Sequence, residues 1–285
     1  MVRSRINGLP DRAAAKAVRS WINRWHLRHP LGYLSLVDRE RLKRIRNYQN
    51  TEFFPALFLR PASILVTLVV GDWAWVTPNR VTLFATVLKL AAAGMFLVDD
   101  YCWLVAGAIT LLLGAIFDHV DGTLARYRKT PSNLGFFYDT VSDAVTWFTT
   151  LAALGWTASQ RTEDVHLLVV AAAGAYALMV NGYTRSVVET ANERAKAKAA
   201  AASPDLFRES GGDPPERTRA AWLGWVGRCV AQIWKFQEMD LFFWVTVFVV
   251  LDRVPELLWL VAFTQVAALT VRFYLRATEM ARHDL

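Results

Sequence analysis

Apolar residues run almost unbroken over roughly 78–98, 101–117, 134–158, 165–188, 240–251 and 255–275. A helix needs about 20 such residues to cross a bilayer. The pattern predicts six transmembrane helices, the second running on into a polar stretch and the fifth short. Ahead of them, residues 53–75 are apolar but broken by Pro55, Arg60, Pro61, Gly71 and Asp72. That pattern predicts an amphipathic helix lying in the membrane interface; the alternative is a distorted seventh span. Between the fourth and fifth runs lies an insertion, 189–239. It opens with an Ala/Lys stretch and breaks at Ser210–Pro215. Trp222, Trp225, Val226, Cys229, Ile233 and Phe236 then recur at helical spacing.

Composition agrees with the run lengths. The chain has 285 residues, 54% hydrophobic and 20% charged, with twelve Trp and sixteen Phe. Mean hydropathy is +0.23. Disorder and a small disulfide scaffold are excluded. Cys102 and Cys229 fall on opposite sides of the predicted membrane and lack metal-ligand spacing. The first 50 residues hold twelve Lys/Arg against Asp11, Asp38 and Glu40. They read as a basic arm, too long and polar to be a cleaved signal peptide. The links after the second and fourth runs are also basic. The other three links carry only Arg161 and Arg253 as cations, beside several acids. This alternation puts both termini in the cytoplasm. A seventh span would move the twelve cations outside. The +7 net charge therefore reads as cytoplasmic-face charge beside anionic lipid. No nucleic-acid motif accompanies it, and nucleic acid is not an expected partner.

Carboxylates within membrane spans are costly and are functional candidates by default. Asp118 and Asp121 stand i, i+3 on the second run; Asp139 and Asp143 stand i, i+4 on the third. Each pair shares a helical face. A short link makes the two helices antiparallel neighbours, so the pairs can meet near the cytoplasmic surface. Four close carboxylates repel unless cations intervene. Hard oxygen donors suit Mg²⁺ or Mn²⁺, and a carboxylate-bridged pair of ions is a usual device for displacement at phosphorus. Gly122 and Ala125 would leave room for a base or ribose, and Arg126 can neutralise a phosphate.

Asp118, Asp121, Gly122, Ala125, Arg126, eight residues, then Gly135, Asp139 and Asp143 resemble the motif of the CDP-alcohol phosphotransferase family. Pro78-Asn79 followed by Thr82 resembles the way members begin their first span. The likeness covers roughly residues 78–275. It implies transfer of a phospho-alcohol from a CDP-linked donor to a second alcohol, with release of CMP and two metal ions. Asp118, Asp121 and Asp139 would be metal ligands. Asp143 would touch the metal pair and act as general base. Gly122 and Ala125 would border the cytidine, with Asn79 and Arg126 near the phosphates. CDP-diacylglycerol is the expected donor, placing the reaction in phospholipid synthesis. The alternative is a CDP-choline, CDP-ethanolamine or CDP-inositol type of donor with a lipid or polyol acceptor. A divalent-metal transporter is the rival outside the class.

Other residues are more ambiguous. Arg185 is a candidate for binding the acceptor or its phosphate, or for anchoring a helix end. Lys129 is a weaker acceptor candidate, or simply a positive-inside charge. His119 points off the ligand face. Lys89 shares a face with Asn79, Thr82 and Thr86; pairing with a buried carboxylate, lining the cavity and snorkelling are all open to it. The expected architecture is all-α, an integral membrane protein with six helices around a polar cavity open to the cytoplasm. Residues 1–76 form the arm and interfacial helix, and 77–278 the transmembrane domain. The expected partners are donor, acceptor, membrane lipid and a second copy of the chain.

Overall fold

A computed structural model describes residues 54–130, 132–202, 224, 226–228, 230–231 and 238–283. The basic arm 1–50, the break at 210–215 and Trp222, Trp225, Cys229, Ile233 and Phe236 of the apolar stripe lie outside these residues. Among the described residues there are helices and turns and no strand.

A π-helical turn, Pro55–Leu59, leads into α1, Arg60–Val70. There follow α2 (Pro78–Phe96), α3 (Tyr101–Arg128), α4 (Asn133–Thr162), α5 (His166–Ala202), α6 (Leu241–Val250) and α7 (Val254–His283). The boundaries have local causes. Thr77 caps α2 with Pro78 at its first turn, and Asp100 Oδ1 accepts the Trp103 N–H at the start of α3. Lys129 and Glu163, both at φ 56°, end α3 and α4 in the left-handed conformation.

The helices run antiparallel in sequence, and two sets of contacts mark the ends of the bundle. At one end Arg161 binds Asp99 and, at 2.8 Å, Asp252. There Tyr101 Oη also donates to the Val250 carbonyl at 2.8 Å. The α2–α3 link, the end of α4 and the α6–α7 link thus lie together. These are the three links that the charge pattern assigns to one side. At the other end Asn192 on α5 donates to Glu279 on α7 at 2.9 Å.

Polarity is distributed inside-out. α2 buries Thr82 and Lys89 and exposes Leu83, Phe84 and Val87. α1 buries Ser63 and Thr67, their hydroxyls bonded to their own helix, and exposes Leu65 and Val69. A water-soluble bundle would show the reverse; apolar solvent around the helices accounts for it. Among the described residues, three helices are long and apolar enough to cross a membrane: α3, α5 over His166–Glu193, and α7 over Val254–Ala281. α2 has 19 residues, about 28 Å of helix. α6 has only 10, about 15 Å. The predicted six spans therefore stand as three clear ones, with α2, α4 and α6 packed among them. α1 packs on α3, as a helix beside the bundle, and Phe54 N–H donates to Asp240 Oδ1 at 2.7 Å.

Small residues let α2 and α3 approach closely. A Cβ on Gly107 would lie 2.8 Å from the Phe96 ring. An apolar core that includes Phe96, Leu104, Leu151, Leu154, Phe242 and Leu257 fills the bundle. The acidic motif lies toward the end of α3 away from the Arg161 cluster.

Candidate active site

Asp118 and Asp121 on α3 are buried, while Asp139 and Asp143 on α4 are partly exposed. One oxygen each from Asp118, Asp121 and Asp139 come within 4.8 Å of one another. These are hard donors from two helices, and His119 turns its Nδ1 to the Ala115 carbonyl of its own helix, 3.3 Å away. That donor set fits Mg²⁺ or Mn²⁺ rather than a metal preferring nitrogen or sulfur.

The fourth carboxylate is held differently. Lys89 Nζ lies 2.8 Å from Asp118 Oδ1 and 2.9 Å from Asp143 Oδ1. Lys89 has no exposed surface. Its stem runs against Gly114, where a Cβ would stand 2.8 Å from Lys89 Cγ. Its ammonium lies 5.7 Å from the centroid of the buried Phe242 ring. Of the readings open to Lys89, carboxylate pairing is the one realised. On the same face of α2, Thr82 donates to Asp121 Oδ2 at 2.5 Å. The polar stripe of α2 thus supports the motif residues on α3 and α4.

The residues expected near a nucleotide lie on α2 and α3, two of the helices that build this cluster. Gly122 and Ala125 are half-buried on the turns after Asp121. The Arg126 guanidinium folds back over Gly122, where a Cβ would stand 3.3 Å from Nη1. Asn79 reaches Gly135 at the start of α4, its Oδ1 3.3 Å from where a Cβ would be. Bulkier residues at 122 or 135 would crowd these side chains. Arg185 is exposed on α5 and bonds Glu189 at 2.9 Å, yet stays near enough for its charge to act on Asp139. Lys129 is exposed at the end of α3.

Arg128 has a different place from the one its charge suggests. Its guanidinium donates to the carbonyls of Gly71 (3.0 Å), Val76 (2.6 Å) and Trp73 (2.7 Å). Tyr127 Oη adds a bond to Asp72 at 2.9 Å. The end of α3 therefore fastens the loop that delivers Asn79 and Thr82. A spacing argument had no signal for this, because the acceptors are main-chain atoms of a distant loop.

Residues 75–206 match the sequence model of the CDP-alcohol phosphatidyltransferase family. A phosphatidylinositol phosphate synthase of Mycobacteroides abscessus is 29% identical over 120 residues, which are 42% of this chain and 53% of that protein. The match thus spans about half the length of that relative. A crystal structure of phosphatidylinositol phosphate synthase from Mycobacterium tuberculosis with CDP-DAG bound aligns at a TM-score of 0.44 and 21% identity, covering 76% of this chain and 92% of that one. The matched segment contains all four aspartates together with Asn79, Lys89, Gly122, Ala125, Arg126, Lys129 and Arg185. Over residues 75–206, the chain is similar to the CDP-alcohol phosphatidyltransferase family.

Proposed function

We propose that the protein transfers a phosphatidyl group from CDP-diacylglycerol to an alcohol hydroxyl, releasing CMP. The observation that carries this reading is the convergence of Asp118, Asp121 and Asp139 within 4.8 Å inside the matched segment. A divalent ion held by these three carboxylates would offset charge on the diphosphate and make CMP a better leaving group. Arg126 binds nucleotide phosphate at the mouth of the cluster, and Asn79 holds the start of α4 against it. Gly122 and Ala125 leave space for the cytidine.

Asp143, partly exposed and aimed by Lys89, takes the proton of the acceptor hydroxyl. The acceptor oxygen forms a bond to the phosphorus that bears the diacylglycerol. The bond from that phosphorus to the bridging oxygen breaks, and the electron pair leaves with CMP. Arg185, on α5 near Asp139, is the acceptor-side cation; Lys129 stands farther out at the end of α3.

Six alternating helices crossing a membrane, with the aspartates at the cytoplasmic end, complete the proposal. The inside-out polarity supports it. So does the grouping of the three acid-rich links by Arg161, opposite the basic ones. Exposed rings such as Phe84, Trp103, Phe148 and Phe263 would face lipid.

The test is to incubate purified protein with CDP-diacylglycerol, Mg²⁺ and a panel of alcohols, and to read products by mass. The names of the relatives make a phosphorylated inositol the first acceptor to try, beside glycerol phosphate, inositol and serine. A phosphatidyl product with any of them supports the reading. Products formed only from CDP-choline-type donors would move the donor to the soluble class.

A further inference from the structure

We infer that Lys89 takes the place of one of the two expected cations, so that this centre binds a single divalent ion per chain. The inference rests on the transferase reading above and concerns how that site is built.

Three observations carry it. First, the four carboxylates divide into two groups. Asp118, Asp121 and Asp139 converge by themselves. Asp143 is joined to Asp118 through the Lys89 ammonium, at 2.9 and 2.8 Å. A second ion bound through Asp118 and Asp143 would sit against the ammonium that already bridges these two carboxylates. Mg²⁺ binds oxygen at about 2.1 Å with near-octahedral demands, so it cannot share them with a nearby ammonium without strong repulsion.

Second, Lys89 has nowhere else to go. A surface lysine would swing into water, but this side chain has no exposed surface. Gly114 supplies the groove for its stem, and Phe242 closes the space beyond the ammonium. Third, α2 neutralises what the ion does not. Thr82 donates to Asp121, and Lys89 serves Asp118 and Asp143. The ammonium supplies fixed positive charge but no open coordination position. Charge compensation at Asp143 is thus permanent, while substrate-polarising chemistry stays with the one ion.

The experiment counts Mn²⁺ bound to the full chain in lipid nanodiscs. Free Mn²⁺ is read from its electron paramagnetic resonance signal, with and without CDP-diacylglycerol. CMP release from the same preparation is measured alongside. One ion per wild-type chain supports the inference, and two overturn it. Lys89→Met and Lys89→Gln remove the charge while keeping the stem or part of it. Either variant should raise the count to two. A count still at one in a folded variant would show that something other than Lys89 excludes the second ion, and would overturn the assignment. Asp143→Asn should keep one bound ion with less than a tenfold loss of affinity; loss of an ion from that variant contradicts the inference. Two ions with metal-dependent CMP release would sink only this inference. No bound ion and no CMP release would sink the transferase reading as well.

Discussion

Gly114 on α3 and Lys89 on α2 occupy the same slice of the helix interface. A Cβ at 114 would stand 2.8 Å from Lys89 Cγ and 3.3 Å from the Ala85 carbonyl. Gly114→Ala should therefore force the two helices apart or push Lys89 off the carboxylates. Overpacking of this kind costs about 1–3 kcal/mol. The variant should melt earlier in detergent and turn over more slowly. A wild-type melting temperature with full turnover would show that the groove is not needed.

Asp121 and Asp143 should separate by role. Asp121→Asn removes a carboxylate from the converging three and should abolish metal-dependent nucleotide binding. Asp143→Asn keeps size but loses basicity. It should lower turnover by about 10²–10⁴ while CDP-alcohol binding survives, weakened at most modestly. Nucleotide affinity measured against metal concentration distinguishes them. Near wild-type turnover in Asp143→Asn would place the base elsewhere.

Arg128 holds three carbonyls of the 71–76 loop. Arg128→Ala leaves them to find other donors and should destabilise the protein by about 1–3 kcal/mol. Because that loop delivers Asn79, KM for the CDP-linked donor should rise more than kcat falls. Lys129→Ala, at the exposed next position, should leave stability within about 0.5 kcal/mol of wild type. Equal effects from the two variants would mean that net basic charge, not the clamp, matters.

Orientation is testable independently of chemistry. A reporter fused after Leu285 should read cytoplasm, and one inserted at Asp99–Asp100 should read the far side. A cytoplasmic signal at Asp99 would contradict the alternating map.

The two carboxylate pairs are legible in the sequence because i, i+3 and i, i+4 spacings fix a shared helical face whatever the tertiary setting. The short link between them fixes the antiparallel pairing. Lys89 is not legible in the same way. A lysine half-way along an apolar helix has several outcomes, and the choice is made by Gly114, Phe242 and the aspartates of other helices. The Thr82 bond to Asp121 carries no spacing signal, because the two residues stand on different helices. Arg128 is hidden because its partners are carbonyls, which carry no residue-type signal. The run limits follow the helices closely at α2, where Thr77 and Pro78 punctuate the start. They fall short at α3, where the helix continues past Phe117 because the polar motif residues face inward rather than ending the apolar stretch. The full length of a fifth span is not readable from α6, since ten residues of helix do not measure a bilayer.

The proposed transfer of phosphatidyl from a CDP-linked donor at a metal-held carboxylate cluster makes CMP release metal-dependent. The most direct measurement is CMP release from CDP-diacylglycerol by purified protein, with acceptor alcohol, in Mg²⁺ and then in excess EDTA. Release should need both acceptor and metal, stop on chelation, return on adding Mg²⁺ or Mn²⁺, and be absent in Asp121→Asn. Release that continues at full rate in EDTA, or an equal rate from Asp121→Asn, would contradict the proposed transfer.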